Sequence, residues 1–501
     1  MSKIKKRIIK NLFAALLSQA VTFILAFLIP RLFLVNFGSE AKGLISTITQ
    51  IFNYLWLLEA GVGLATTQAL YGPVSRQDED SINAIMTATH QYYKKTGYLY
   101  LTAVVLFAVV FSLGSKSSFQ PWVVFVIVLM QGLPSVLTYL VQGKYRLLLE
   151  AEGKAYIFNN LQTAMNFFMS FGKVFLLYLS ANILLVQSVS CMGAVIQVVC
   201  LVWYVKRNYR WLDLKVKKPD YEAISEKSAV LIHQISGVIF NNTDVLLLSA
   251  FCGYMVSSVY TVYQMFFQYM ETLITTLSSS INFSLGQLFH SDRERFLKVM
   301  DLYETVYLMI IFILNTAVYL FILPLIAVYT RGINDIEYID SRLPILFVLI
   351  SLLANGKMPT NLVINIAERF SNTRPHAIIE VVINLVVSVF AIWKFGICGG
   401  LMGTIAALLF RANVMIIYAN VYILGRNPLK TYKKWGAYFL VFLLVIRVLD
   451  PQRHMLNSYP AIFGYGCVYG CIIALVFVVF TCFLQPSLPR AVLQMAKNWR
   501  K

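Results

Sequence analysis

The chain has 501 residues, 58% of them hydrophobic, and a mean hydropathy of +0.69. Apolar density of this kind, spread over many separate runs of roughly 20 residues, excludes a soluble globular fold and specifies an all-α polytopic membrane protein. The net charge of +19 would suit nucleic acid by its size, but its placement does not: the bases gather in short connections between apolar runs, as the positive-inside pattern requires.

Lys3, Lys5, Lys6, Arg7 and Lys10 place the N-terminus in the cytoplasm. The first apolar run resembles a signal peptide at its basic start. It is too long, lacks a small-residue cleavage site and precedes many further spans, so it is expected to stay attached. Fourteen spans are predicted, the first pair at about 11–35 and 43–65, joined by the turn Asn36-Phe37-Gly38-Ser39-Glu40. Four more follow at about 98–113, 121–141, 156–180 and 183–205, completing an N-terminal lobe over 1–205. A basic cytoplasmic linker, 206–227, carries Arg207, Arg210, Lys215, Lys217 and Lys218, suited to anionic lipid headgroups.

A second lobe, 228–424, holds spans at about 228–251, 257–285, 303–329, 343–366, 377–393 and 401–424. Residues 425–501 add two more, about 435–449 and 461–484, and a cytoplasmic tail. Counting spans this way puts seven bases outside (Lys42, Lys116, Arg331, Arg342, Lys394, Arg447, Arg453) and four within spans (Arg31, Lys173, Lys357, Arg411), leaving the other 31 of 42 in the cytoplasm. Both ends are therefore expected inside.

An internal repeat supports the division. At an offset of 215, Leu16-Leu17-Ser18-Gln19 falls on Leu231-Ile232-His233-Gln234, and Gly38 falls on Gly253. The two hairpins are six spans apart and enter the membrane in the same direction, which makes a parallel repeat with its axis along the membrane normal. Such folds place substrate between their halves, in a central cavity.

Polar residues recur at helical spacing inside the apolar text and so share faces. The eighth span carries Gln264, Gln268, Glu271, Thr275, Ser278 and Asn282; the seventh carries His233, Gly237, Asn241 and Asp244. The fifth has Asn159, Gln162, Asn166 and Lys173. The tenth has Lys357, Asn361, Asn365 and Glu368, with Gly356 and Pro359 placed to break the helix. The eleventh offers Glu380, Asn384 and Ser388, and in the twelfth Thr404 and Arg411 share a face. The bland account is interhelical glue, which suffices for a single Asn, Gln, Ser or Thr. Ions are different: each costs about 3 kcal/mol at the bilayer centre and usually serves function.

Four bases from four helices, Arg31, Lys173, Lys357 and Arg411, suit a diphosphate, which guanidinium groups grip bidentately and lysines as point charges. The acids Glu59, Asp244, Glu271 and Glu380 have two roles open to them. They pair the bases while the site is empty, or take up H⁺ or Na⁺ for coupling, with Asp244 or Glu271 as the carrier, because burial disfavours a bare carboxylate charge. Near span ends, Glu380 and Arg31 also have the simpler option of snorkelling to the interface. The seven cysteines have no metal-ligand spacing and the five histidines form no site, so packed free thiols and no metal are expected.

The chain resembles the polysaccharide transporter family, the repeat-unit flippases of the multidrug/oligosaccharidyl-lipid/polysaccharide exporter superfamily. The likeness runs nearly the full length. It is carried by Pro30-Arg31 and Asn36-Phe37-Gly38, by Glu150-Ala151-Glu152-Gly153-Lys154-Ala155-Tyr156-Ile157, by Phe240-Asn241-Asn242-Thr243-Asp244, and by Gly396-Ile397-Cys398-Gly399-Gly400-Leu401-Met402-Gly403-Thr404. The resemblance implies two six-helix lobes around a V-shaped cavity plus two C-terminal helices. It implies ion-coupled alternating access that moves undecaprenyl-diphosphate-linked oligosaccharide units to the outer leaflet of a bacterial plasma membrane, for capsule, exopolysaccharide or O-antigen-type export. A polysaccharide polymerase and glycosyltransferases are the partners it implies; it assigns no sugar contacts.

Two alternatives share the fold: a flippase for the lipid-linked peptidoglycan precursor, and an exporter of small cations, which should have a net acidic cavity. A membrane glycosyltransferase or polymerase is of another class. It needs a catalytic constellation, and neither the longest external connection, about 330–342, nor the cytoplasmic loops supply an acid/base pair or a nucleotide-binding glycine motif.

Overall fold

The computed structural model describes residues 3–55, 62–224, 228–449 and 456–486; Glu59 lies outside them. The described secondary structure is entirely helical. In chain order the helices are α1 (Lys3–Leu55), α2 (Val62–Arg76), α3 (Glu79–Gly114), α4 (Pro121–Leu137), α5 (Gly143–Ala151), α6 (Ala155–Tyr178), α7 (Ile183–Asn208) and α8 (Ser228–Cys252). Then come α9 (Tyr254–Ser291), α10 (Arg293–Tyr329), α11 (Leu343–Gly356), α12 (Met358–Ile366), α13 (Arg374–Phe395), α14 (Ile397–Tyr418), α15 (Leu429–Leu449) and α16 (Tyr459–Leu484).

Every predicted span falls on helix wherever it is described. Ten helical segments among the described residues are long and apolar enough to cross a membrane, so this is a multi-pass membrane protein. Helices α6, α9 and α15 are not among the ten. The first two are diluted by their own polar stripes, and α15 by Lys430, Lys433, Lys434 and Arg447.

The predicted turn lies inside α1, where Gly38 (φ 78, ψ 178) breaks the helical path into two arms. That backbone region is open to glycine and costly for other residues. Gly253, its partner at the 215-residue offset, also has positive φ (88) and separates α8 from α9. Further boundaries keep the interval: α2 ends at Arg76 and α9 at Ser291, and α5 ends at Ala151 and α12 at Ile366. The predicted break in the tenth span is present as well. Helix α11 stops at Gly356 and α12 starts at Met358 with Pro359 in its first turn, leaving Lys357 at the join. Proline fits there because an N–H at that position has no intrahelical partner.

Packing divides the chain into two compact units, residues up to 242 with 253–255, and 243–252 with 256 onward. In unit 1 the buried tyrosines Tyr93, Tyr100 and Tyr139 join α3 to the π-helical turn Thr138–Gln142 that follows α4. The basic linker is docked on this unit. Asn83 of α3 donates to the Trp211 carbonyl (3.3 Å) and accepts from Asp213 N–H (3.0 Å), and the Tyr209 hydroxyl donates to Glu152. Burial, together with that donation, pushes the Tyr209 hydroxyl up to about 12. The linker bases Arg210, Lys215, Lys217 and Lys218 remain exposed.

In unit 2 the two C-terminal helices are fastened to α10. Phe312 packs against Tyr438 and Phe477. Glu304, 2% exposed, accepts from Arg426 (2.7 Å), Thr431 (2.7 Å) and Lys434 (3.1 Å), while Asp301 pairs with Arg426, Lys430 and Lys434. Removing one partner from such a buried set leaves uncompensated charge, at a cost of about 3–5 kcal/mol.

Candidate functional site

The structure gathers the predicted residues into three places. The first is in unit 2 and begins with close packing of α13 and α14. A Cβ on Gly403 would meet Ser388 Oγ at 2.1 Å, and one on Gly399 would meet the Ala391 carbonyl oxygen at 2.1 Å. This small-xxx-small pair lets the two backbones approach, which brings Thr404 of α14 to Asn384 of α13. Asn384 donates to Thr404 Oγ1 (3.0 Å), and Thr404 donates in turn to Asp244 Oδ2 of α8 (2.7 Å). Tyr260 of α9 donates to the same carboxylate oxygen (3.0 Å).

Asp244 and Asn384 are 4% and 0% exposed. Yet Asp244 Oδ1 and Asn384 Oδ1 are both buried without a hydrogen-bond partner. Two orphaned acceptor oxygens at one cluster are expensive, the carboxylate most of all. A proton or a small hard cation would satisfy such oxygens. An all-oxygen donor set with one charge suits those and not a soft transition metal. Among the described residues no group of three or more His, Cys, Asp or Glu is placed to hold a metal ion.

The second place is also in unit 2. Lys357, at the join of α11 and α12, reaches Glu380 Oε1 of α13 (3.2 Å), and Arg411 of α14 reaches Glu380 Oε2 (3.5 Å). Arg411 also donates to the Thr373 carbonyl (2.9 Å). Three of the eight predicted ions thus converge, two bases on one acid, all largely buried. Glu271 of α9 is close enough to Lys357 for their charges to interact. Along the rest of the α9 stripe, Gln268 and Asn282 are exposed and Gln264 is half-buried; Asn361 of α12 is half-buried too.

The third place is in unit 1. A cavity of about 720 Å³ is lined from α6 by Gln162, Asn166, Ser170 and Lys173, and from α1, α4 and α7 by Thr22, Ser135, Ser190 and Gln197 among others. Its amides are linked, Gln197 donating to Gln162 (2.8 Å) and Gln162 to Asn166 (3.2 Å). A second cavity of about 440 Å³ shares Lys173, Ser135 and Ser190 with the first and adds Lys42, Thr49, Asn53, Gln131 and Gln187. Among the described residues no carboxylate lines either cavity. Asn159 is exposed on α6 and lines neither; Asn241 is exposed on α8; Arg31 is half-buried on α1 and outside both linings.

Lys42, which the span count puts on the external side, lines the second cavity, close to where the second arm of α1 begins after Gly38. The signal for it was present: Lys42, Thr49 and Asn53 recur on one helical face. Tyr260 was missed because a tyrosine in an apolar helix looks like packing until its hydroxyl is seen to bond.

No protein-family model matches the chain, and no curated protein does. Solved structures do. An inward-facing multidrug resistance MATE family transporter of the MOP superfamily aligns with a TM-score of 0.62 at 15% identity, over 79% of this chain and 93% of that one. The lipid II flippase MurJ, in an inward closed conformation, aligns with a TM-score of 0.60 at 14% identity, over 94% of this chain and 99% of that one. An MOP superfamily transporter from Pyrococcus furiosus, described as having a binding pocket of reversed polarity, aligns at 0.52 and 14% identity over 82% and 94%. At these identities the likeness establishes the fold alone, one shared with the MATE transporter and with MurJ.

Proposed function

We propose that the protein is a flippase for polyprenyl-diphosphate-linked oligosaccharide units, working by alternating access and driven by a coupling ion. The observation that supports this reading is the lining of the unit 1 cavities: amides and hydroxyls with Lys173, and no acid among the described residues. Neutral hydrogen-bonding groups suit a glycan, an ammonium suits phosphate, and a cationic drug has no counter-charge there. The coupling ion, H⁺ or Na⁺, is assigned to Asp244 with Asn384 and Thr404, since occupancy would satisfy the oxygens left without donors. The resemblance to the polysaccharide transporter family supports the choice of cargo and a place in a bacterial plasma membrane.

The test is transport of a radiolabelled lipid-diphosphate oligosaccharide to the opposite leaflet of proteoliposomes under an ion gradient. Movement of the lipid without efflux of a cationic dye is expected. Efflux of the dye without movement of the lipid overturns the reading. The lipid-linked peptidoglycan precursor is a second candidate cargo, favoured by near-complete coverage of the lipid II flippase fold. It is distinguished by offering both lipids together and asking which one is moved.

A further inference from the structure

We propose that the anionic part of the cargo is held wholly within unit 1, by Lys42 and Lys173 acting together. The inference rests on the flippase reading and goes beyond it by locating the phosphate and naming its second base. Lys42 from the second arm of α1 and Lys173 from α6 line the same 440 Å³ cavity. Among the described residues neither forms an ion pair or a side-chain hydrogen bond. The nearest acid in sequence, Glu40, is engaged by the Ser118 backbone N–H. Two half-buried ammonium groups lining one space, with no acid among its described lining residues, are costly without a counter-charge, and a diphosphate supplies two adjacent charged groups. Lysine binds such groups as a point charge on a flexible stem.

The neighbouring 720 Å³ cavity meets this one at Lys173. Its amide chain, Gln197 to Gln162 to Asn166, keeps further donors and acceptors for hydroxyl groups. A headgroup with its phosphates at Lys42 and Lys173 and its first sugar among those amides would occupy both spaces. By contrast, Lys357 and Arg411 already share Glu380 and are not needed for the anion.

The experiment uses the full chain in nanodiscs with farnesyl diphosphate as the probe and farnesol as the uncharged control. Binding of farnesyl diphosphate should weaken about ten-fold or more in both Lys42→Gln and Lys173→Gln, corresponding to loss of a charge-assisted contact. Lys42→Arg should retain it, as should Lys116→Gln, which removes an exposed base elsewhere in unit 1. Amine acetylation of the unaltered protein, read by peptide mass spectrometry, gives a measurement free of any folding defect. Farnesyl diphosphate should protect Lys42 and Lys173 and leave Lys116 reactive. Failure of the unaltered protein to bind farnesyl diphosphate better than farnesol removes the flippase reading and this site with it. Normal binding that both Lys→Gln variants retain, with no protection of the two lysines, overturns the site and leaves the reading standing.

Discussion

Unit 1 and unit 2 repeat the same helical plan and charge it differently. In unit 1, Lys42 and Lys173 line cavities with no acid among the described residues. In unit 2, Lys357 and Arg411 are both engaged by Glu380, while Asp244 is buried with hydroxyl partners and one bare oxygen. A backbone repeat therefore fixes where polar side chains can converge, but not what they attract. On the proposed reading, one unit would take up an anion and the other a small cation, as exchange of a cargo against an ion would require.

The sharpest break of this contrast is Asp244→Asn. It removes the one formal charge from the orphaned oxygen set while keeping its shape, so ion-gradient-driven transport in proteoliposomes should be abolished. The added ion should also cease to stabilise the protein, because a ligand raises stability only as far as it binds the folded state. Thermal unfolding with and without Na⁺, at two pH values, reads this directly. Retained ion-dependent stabilisation in Asp244→Asn would place the cation elsewhere.

Glu380→Gln comes next in size. It strands Lys357 and Arg411 without a shared acid and should cost about 3–5 kcal/mol, the usual penalty for breaking a buried ion pair from one side. Pairing it with Lys357→Met should recover part of the loss, a coupling measurable as a double-mutant cycle in SDS-driven unfolding. Additive losses would mean that the three side chains do not act as a unit.

The plan itself was largely legible in the sequence, and the convergence was not. Gly38 could be read as a turn because it interrupts an apolar run long enough for two spans, and the break at Lys357 could be read because Gly356 and Pro359 flank it. Helical spacing put Asn384 and Glu380 on one stripe of α13. It could not say that Asn384 would serve Thr404 and Asp244 while Glu380, one turn away, served Lys357 and Arg411. Those partners come from other helices, Asp244 from one 160 residues before Thr404, and periodicity carries no information between helices. Lys42 escaped notice as a cavity residue for a different reason: it follows a short external turn, where a base needs no explanation.

The turn glycines test the repeat apart from its charges. Gly38→Ala and Gly253→Ala each force a side chain into positive φ and should each cost about 1–3 kcal/mol. Nothing lies within 4 Å of a Cβ at Gly253, so its penalty would be conformational alone. Similar losses in the two variants support equivalent turns in the two copies of the repeat; a loss in only one breaks the equivalence.

The smallest expected effect on stability carries the most information about unit 1. Lys173→Met keeps a long unbranched side chain and deletes an ammonium that has no acid beside it among the described residues. If Lys173 were a structural partner like Arg411, its loss would destabilise the protein as Glu380→Gln does. If it waits for an anion, the empty protein already bears the cost of a desolvated charge, and removing that charge should leave stability unchanged or raise it by up to about 1 kcal/mol. Measured by the same SDS titration, Lys173→Met should therefore unfold no earlier than the unaltered chain while losing farnesyl diphosphate binding. Binding lost with stability intact is the mark of a side chain retained for its ligand, and a drop in stability of more than about 1 kcal/mol would return Lys173 to the fold.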